Sequence, residues 1–198
     1  RLRERICRLG SLLYMRGHAH GSSGNISVRL GDEILVTPTN SCLGLLDPAQ
    51  ISKVGSDGKV ISGDVPSKES FLHLAMYGER GNARGIVHLH CTHAVAVSCQ
   101  CHENTNDVLP PYTAYYVMKI GALPLIPYYR PGDKSLAEAV RQVSRKHSAV
   151  LPANPGPVVA GKSLEDPVYS IEELEENAKL SFLPDNRKVS WLPSLQFV

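Results

Sequence analysis

Two histidines separated by one residue carry the clearest chemical potential in this chain. His88 and His90 lie within the apolar run 85–90. Residues i and i+2 of a strand project from the same face, so both imidazoles can reach one metal ion. The alternative is a pair of surface or hydrogen-bonded core histidines. Because uncompensated polar rings are costly in apolar surroundings, the placement favours the metal site.

Glu69 offers a carboxylate at the start of a predicted helix. It follows Pro66-Ser67 and precedes apolar residues at helical spacing through position 76, which places it in the first helical turn. A carboxylate there can serve as a metal ligand or as a general acid and base. The alternative is a helix-capping role. His73 lies on the same helical face, where it can either orient Glu69 or make a structural hydrogen bond, and the hydrogen bond is the expected use.

Polar clusters at the ends of predicted elements suggest a phosphate site. Exposed N–H groups and hydroxyls at such ends can surround a phosphate, with a lysine as counter-charge. Each cluster alone also resembles an ordinary turn. The candidates are Gly24 and Asn25 in the turn 22–25, Thr39 with Asn40, and Ser67 with Lys68.

The elements that must position these residues alternate between helices and strands. Gly31-Asp32 and Asp57-Gly58 are typical hairpin turns, and the two hairpins argue against a purely parallel sheet. Pro152 lies in a predicted strand, where it should delete a ladder hydrogen bond. The pattern indicates an α/β protein with one domain over 1–198. Helices are predicted over 2–16, from 69 through 76, at 94–97, 135–146 and 163–183, and strands over 26–30, 33–37, 51–54, 59–61, 85–90, 123–127, 149–151 and 157–160.

The composition excludes several function classes. A chain of 198 residues with 42% hydrophobic residues can bury a core, and a net charge of +2 without a basic run argues against nucleic acid as a partner. No apolar stretch reaches about 18 residues and no signal-peptide core is present, so we expect a cytoplasmic protein without a membrane partner. The chain opens inside a helical pattern without Met, which predicts residues upstream of Arg1. The five cysteines show no CxxC spacing and are expected to be buried free thiols.

The motifs, taken in order, resemble the class II aldolase/adducin family over nearly the whole chain. Within the family, the chain resembles the branch that decarboxylates 3-oxo-tetronate 4-phosphates, in the four stretches 41–44, 66–69, 128–134 and 171–176. The motifs that carry the family resemblance are Gly21-Ser22-Ser23-Gly24-Asn25-Ile26-Ser27-Val28-Arg29, Thr37-Pro38-Thr39, Pro66-Ser67-Lys68-Glu69 and Val87-His88-Leu89-His90.

This resemblance implies a three-layer α/β/α fold around a mainly antiparallel sheet, and a homotetramer with sites at subunit interfaces. It implies a divalent metal, usually Zn²⁺, on His88 and His90, with Glu69 as the catalytic carboxylate that can also touch the metal. The polar clusters then match phosphate-binding turns. Asn40 and Lys68 stand where aldolases commonly carry Gly and Ser.

The expected activity is that of a metal-dependent carbon–carbon lyase on a phosphorylated sugar or sugar acid. Aldol cleavage and decarboxylation both leave a metal-stabilised enediolate, so the sequence does not separate them. Pro155 replaces the family's third metal histidine, which keeps open a non-catalytic, adducin-like binding or scaffold domain. A sugar-phosphate 4-epimerase is a further alternative. The family's acid from the neighbouring subunit corresponds to Tyr112, Tyr115 or Tyr116.

Overall fold

A computed structural model describes residues 1–130, 133, 135–183 and 192. Part of the 128–134 motif, at 131, 132 and 134, lies outside the described residues. The helices are α1 Leu2–Met15, α2 Ser70–Glu79, α3 Thr92–Ser98, α4 Ala114–Lys119, α5 Ser135–Ser144 and α6 Glu165–Ser181. The strands are β1 Asn25–Leu30, β2 Glu33–Val36, β3 Ser52–Gly55, β4 Val60–Ser62, β5 Gly85–His88, β6 Leu125–Ile126, β7 Ala149–Pro152 and β8 Val158–Gly161.

The described strands form one sheet in the order β4-β3-β2-β1-β5-β8-β7-β6. The β6–β7 pair is parallel, and the other pairs are antiparallel. Both predicted hairpins are confirmed as the β1–β2 and β3–β4 pairs. The central strands β1 and β5 pair directly, with Asn25 opposite His88. That register brings two of the predicted site residues together.

Apolar side chains from both faces of the sheet form two cores. One core packs Ile6 of α1 and Ile171 of α6 against the sheet, and the other packs Met76 of α2 and Val140 of α5 against the opposite face. The predicted α/β/α architecture with a mainly antiparallel sheet is therefore confirmed. Among the described residues, no helix combines the length and apolar character needed to cross a membrane.

The boundaries of two site-bearing elements differ from the prediction. Strand β5 ends at His88, so His90 lies in the following loop. Helix α2 begins at Ser70, and Glu69 occupies the N-cap position instead of the first turn. The Glu69 side chain makes no capping hydrogen bond, because it turns toward other partners in the interior.

Strand β1 is buried on both faces at its start, whereas its alternation predicted a half-buried strand. Ile26 and Val28 point into one core, while the polar Asn25 and Ser27 are buried on the face that meets α2. A polar residue in such a position requires a hydrogen-bond partner. The alternation of β1 thus separates an apolar face from a polar but equally buried one.

Pro152 costs no ladder hydrogen bond, contrary to the expectation. The neighbouring N–H groups of Leu151 and Ala153 both donate toward β6. The Pro152 nitrogen therefore faces the opposite edge, beyond the last β7–β8 pair, Val150 with Val158.

The expectation of buried thiols holds for Cys91 and is wrong for Cys99 and Cys101, which are exposed. Cys7 and Cys42 are half-buried. Helix α4 and a short 3-10 helix at Leu43–Leu45 were not predicted.

Candidate metal and substrate site

The Glu69 carboxylate is held at the junction of α2, β1 and β5. The Asn25 side-chain amide donates a hydrogen bond of 2.8 Å to Glu69 Oε2. The same oxygen lies 3.4 Å from His88 Nε2. The other carboxylate oxygen makes no hydrogen bond to a residue that the structure describes. One oxygen is therefore anchored, and the other is available to a ligand.

His88 and His90 present ligand atoms to the same point. His88 is fully buried, and its Nδ1–H donates to the carbonyl oxygen of Pro157 at 2.9 Å. This bond leaves Nε2 of the neutral ring as a lone-pair donor facing Glu69. The ring of His90 has its centroid 5.0 Å from that of His88. The predicted pairing of the two imidazoles holds although the strand ends at the first of them.

The donor set fits a divalent cation. Ligand atoms of Glu69, His88 and His90 all lie within 4.8 Å of one another. Nε2 of each histidine is buried and has no hydrogen-bond partner among the described residues. A buried imidazole nitrogen without a partner is costly unless a ligand such as a metal ion satisfies it. Two imidazoles and a carboxylate are a set that Zn²⁺ accepts in catalytic sites with an open position.

The electrostatics of the cluster favour an ionised Glu69 and a neutral His90, and they attract a positive charge to His88. Burial opposes ionisation of Glu69, but His88, the Asn25 amide and His90 outweigh it and lower the pKa of Glu69 to about 2. Burial and the proximity of His88 lower the pKa of His90 to about 4. For His88 the Glu69 carboxylate outweighs burial and raises the pKa. A bound cation would take the place of the proton that this carboxylate attracts.

A cavity of about 660 Å³ opens beside these residues. All six predicted phosphate-site residues line it, together with Glu69 and His90. His88 lies behind its wall, since the side chain is fully buried. The phosphate-site candidates in the cavity wall are Gly24, Asn25, Thr39, Asn40, Ser67 and Lys68.

The turn before β1 needs glycine to approach the histidines. Gly24 has φ of +84°, and a Cβ there would lie 2.9 Å from Leu89 Cδ2 and 3.1 Å from the carbonyl oxygen of His88. A larger residue would strain the backbone and clash with the segment between the two histidines. Gly24 thereby lets the polar turn lie against the metal-site candidates.

One side of the cavity is lined by residues that the sequence pattern does not predict as site residues. This side is formed by the segment after β6, which contributes Tyr128, Tyr129 and Arg130. None of the three belongs to a predicted phosphate-binding cluster. Two tyrosines followed by an arginine form an aromatic and basic run that can contact an anionic substrate. The sequence does not predict this position, because it depends on how β6 packs in the sheet.

Residues 4–182 match the family model described as Class II Aldolase and Adducin N-terminal domain. The chain belongs to the class II aldolase and adducin family. A 3-oxo-tetronate 4-phosphate decarboxylase of Cupriavidus necator is 50% identical, covering 91% of this chain and 83% of the relative. The protein of that name from Escherichia coli K12 is 47% identical, and the match covers 96% of this chain and 91% of the relative. The crystal structure of YgbL from Escherichia coli superposes with a TM-score of 0.94 at 46% sequence identity. The match covers 97% of this chain and 93% of the YgbL chain.

Family membership and these relatives support an enzyme of the class II aldolase type, a lyase. The sequence resemblance predicts a third metal histidine at the position that Pro155 occupies. Pro155 lines the same cavity as His90 but offers no ligand atom. His93 does not replace it, because among the described residues His93 belongs neither to the Glu69, His88 and His90 cluster nor to the lining of the cavity.

The three tyrosines considered as an acid differ in accessibility. Tyr116 is fully buried and donates to the carbonyl oxygen of Leu109. Burial also raises the pKa of Tyr116 well above its ordinary value. Its hydroxyl cannot reach a second subunit. Tyr112, which is half-buried, and Tyr115, which is 63% exposed, stay as alternatives.

Proposed function

We propose that this protein is a metal-dependent lyase that decarboxylates a 3-oxo-tetronate 4-phosphate. The observation that carries the proposal is the convergence of Glu69, His88 and His90 beside a cavity lined with phosphate-binding candidates. The similarity to proteins named as this decarboxylase favours decarboxylation over aldol cleavage. Asn40 and Lys68, where aldolases commonly carry Gly and Ser, are in accord with a different substrate.

Glu69, His88 and His90 would hold the cation, with Zn²⁺ the proposed occupant. When bound, a divalent cation supplies Lewis-acid stabilisation for oxygens on which negative charge collects. The protein fixes the ligands beforehand: the Pro157 carbonyl sets the His88 tautomer, and Asn25 holds the carboxylate. Ligands that are already oriented need little reorganisation during the reaction.

We assign proton exchange at the substrate carbon to Glu69. When the bond to the carboxylate breaks, carbon dioxide leaves and the electron pair stays on the substrate as an enediolate. One proton must then be added to carbon. Glu69 is the only carboxylic acid among the described residues that line the cavity. Its side chain is 32% exposed, so it can take a proton from solvent and pass it on.

The phosphate would bind at the turns that line the cavity beside Glu69. Thr39 and Ser67 supply hydroxyl groups, and Gly24 exposes backbone N–H groups in its turn. Lys68 adds a positive charge at the cavity wall. We propose further that the enzyme is a cytoplasmic homotetramer in which Tyr112 or Tyr115 of a neighbouring subunit completes the site.

The decisive experiment incubates the Zn²⁺-loaded protein separately with 3-oxo-tetronate 4-phosphate and with fuculose 1-phosphate. We expect carbon dioxide from the first and no dihydroxyacetone phosphate from the second. A chelator-treated sample is the control, and it should release carbon dioxide no faster than the substrate does alone. Dihydroxyacetone phosphate accompanies carbon dioxide as the product of decarboxylation of the first substrate. From fuculose 1-phosphate it would instead identify an aldolase, and a 4-epimer would identify an epimerase. Absence of turnover and of metal binding would favour the adducin-like scaffold.

A further inference from the structure

A row of buried polar side chains crosses the interface between α2 and β1, behind the proposed catalytic carboxylate. Helix α2 and its N-cap carry Glu69, His73 and Tyr77 at intervals of four residues, which places them on one helical face. Strand β1 presents Asn25 and Ser27, two residues apart, on the facing side. The two sets interleave, so each helix residue contacts a strand residue.

Short hydrogen bonds connect the whole row. Tyr77 Oη lies 3.0 Å from Ser27 Oγ, which lies 2.6 Å from His73 Nδ1. His73 Nε2 lies 2.5 Å from Asn25 Oδ1, and Asn25 Nδ2 donates to Glu69 Oε2 at 2.8 Å. Ser27 and His73 are fully buried, and Asn25 and Tyr77 are nearly so. Water therefore does not compete for these bonds.

Only one arrangement of hydrogen atoms satisfies every member. An ionised Glu69 accepts only, so the Asn25 amide must turn its nitrogen to Glu69 and its oxygen to His73. His73 must then carry its proton on Nε2. Its Nδ1 accepts from the Ser27 hydroxyl, whose oxygen in turn accepts from Tyr77. Burial and the proximity of His88 lower the pKa of His73 to about 3, which keeps the ring neutral as this arrangement requires.

Arg29 fixes the outer end of the row. Its guanidinium lies over the Tyr77 ring, 4.7 Å from the ring centroid. It also donates to the backbone carbonyls of Tyr77 and Gly81. Arg29 is the next residue of β1 on the same face as Ser27, so strand and helix are joined at both ends of the row.

We infer that His73, held in its Nε2–H tautomer by Ser27, is a positioning residue that fixes the Asn25 amide and through it the Glu69 carboxylate. Without a donor at His73, the amide can rotate and present its oxygen to Glu69, where two acceptors repel. Glu69 would then lose its anchor at Oε2, and its free oxygen would no longer face the cavity. The expected effect of His73 on catalysis rests on the proposed function, whereas the expected Nε2–H tautomer of His73 does not.

The first test compares His73→Gln with His73→Leu in the Zn²⁺-loaded enzyme. The glutamine amide can still donate to Asn25, whereas leucine cannot. We expect kcat to fall about 10- to 100-fold in His73→Leu, with little change in KM, and to recover partly in His73→Gln. Thermal unfolding is measured for both. Equal kcat values for two folded variants would overturn the inference, because a purely structural role moves stability only.

Ser27→Ala provides a second variant that leaves the imidazole in place. It removes the donor to Nδ1 and should also lower kcat, with KM again little changed. Ser144→Ala is the matched control, because Ser144 is equally buried but donates to Val140 within α5. Wild-type kcat in Ser27→Ala would contradict the assigned role of Ser27.

The tautomer can be measured without any activity. In protein labelled with ¹⁵N-histidine, long-range ¹H–¹⁵N correlation spectra identify which ring nitrogen of each histidine carries the proton. The His73 signals are assigned by their loss in His73→Gln. We expect a single Nε2–H tautomer with and without Zn²⁺. An Nδ1–H or mixed tautomer would overturn the inference, whereas a fixed Nε2–H tautomer in a protein without lyase activity would reject only the proposed function.

Discussion

Glu69 must be both a ligand and a proton carrier, and its surroundings favour the ionised form. That form suits the ligand role, whereas the proton-carrying role requires Glu69 first to take up a proton from solvent. Its Oε2 is held by Asn25 and lies near His88, while the other oxygen is available. Neighbouring donors compensate for the cost of burying a carboxylate. The same contacts explain why Glu69 does not cap α2, although the sequence pattern favours that use of an acidic residue.

Glu69→Gln should lower kcat by at least about 100-fold, the range found when a general acid or base is lost. The amide keeps the shape of the side chain but cannot exchange a proton with carbon. Bound zinc per chain is measured in the same samples, which separates loss of metal from loss of proton transfer. Glu103→Gln, at an exposed position, is the control. Turnover near the wild-type value would remove Glu69 from its role.

Pro155→His should raise the affinity for Zn²⁺ by about tenfold or more, because it adds an imidazole at the cavity wall beside His90. Outer partners of metal ligands alone change affinity by about 10- to 100-fold, so a direct ligand should do at least as much. Competition with a chromophoric chelator measures the affinity. Pro155→Ala is the control and should bind as the wild type does. An unchanged affinity in Pro155→His would show that this position does not face the metal ligands.

At the scale of elements, the local sequence pattern predicted which strands pair in the sheet better than it predicted which residues line the cavity. The Gly31-Asp32 and Asp57-Gly58 turns specify hairpins by their own backbone preferences. Helix α4 was missed because its six residues carry no long apolar periodicity, although Thr113 caps it by accepting from the Tyr116 N–H. The place of Arg130 at the cavity depends on how distant elements pack, which no local pattern encodes.

The α2–β1 interface also predicts a pH dependence of stability. His73 stays neutral in the folded state down to a pKa of about 3, against an ordinary value of 6.5. Below about pH 6.5 the unfolded chain binds a proton that the folded chain does not, so acid lowers the free energy of unfolding. The loss for this group is about 2 kcal/mol between pH 7 and pH 5. Around this ring, His88 opposes protonation and Glu69 favours it.

Urea unfolding of the metal-free protein at the two pH values measures this dependence. His73→Gln should show a smaller decline in the free energy of unfolding, since glutamine does not titrate. Other groups, including His90, titrate in both proteins and cancel in the comparison. The same decline in both proteins would mean that His73 is not held neutral by its burial.

At the scale of the molecule, the proposed metal site joins segments that are far apart in sequence and central in the sheet. Glu69 comes from the start of α2, His88 from β5, and Asn25 from the neighbouring β1. Each of these elements packs into a core that covers one face of the sheet. A cation that binds all the ligands at once therefore selects the folded chain. Its binding free energy then adds to the free energy of unfolding.

Zn²⁺ should raise the midpoint of thermal unfolding, and a chelator should reverse the effect. At a free concentration about 100 times the Kd, the expected stabilisation is about 2.7 kcal/mol. His90→Ala should abolish most of the shift, because it removes a ligand that is only half-buried and packs little of the core. His147→Gln, a histidine outside the ligand cluster, should keep the full shift. If Zn²⁺ shifts neither the wild type nor His147→Gln, the Glu69, His88 and His90 cluster does not bind the metal, and the scaffold alternative gains its main support.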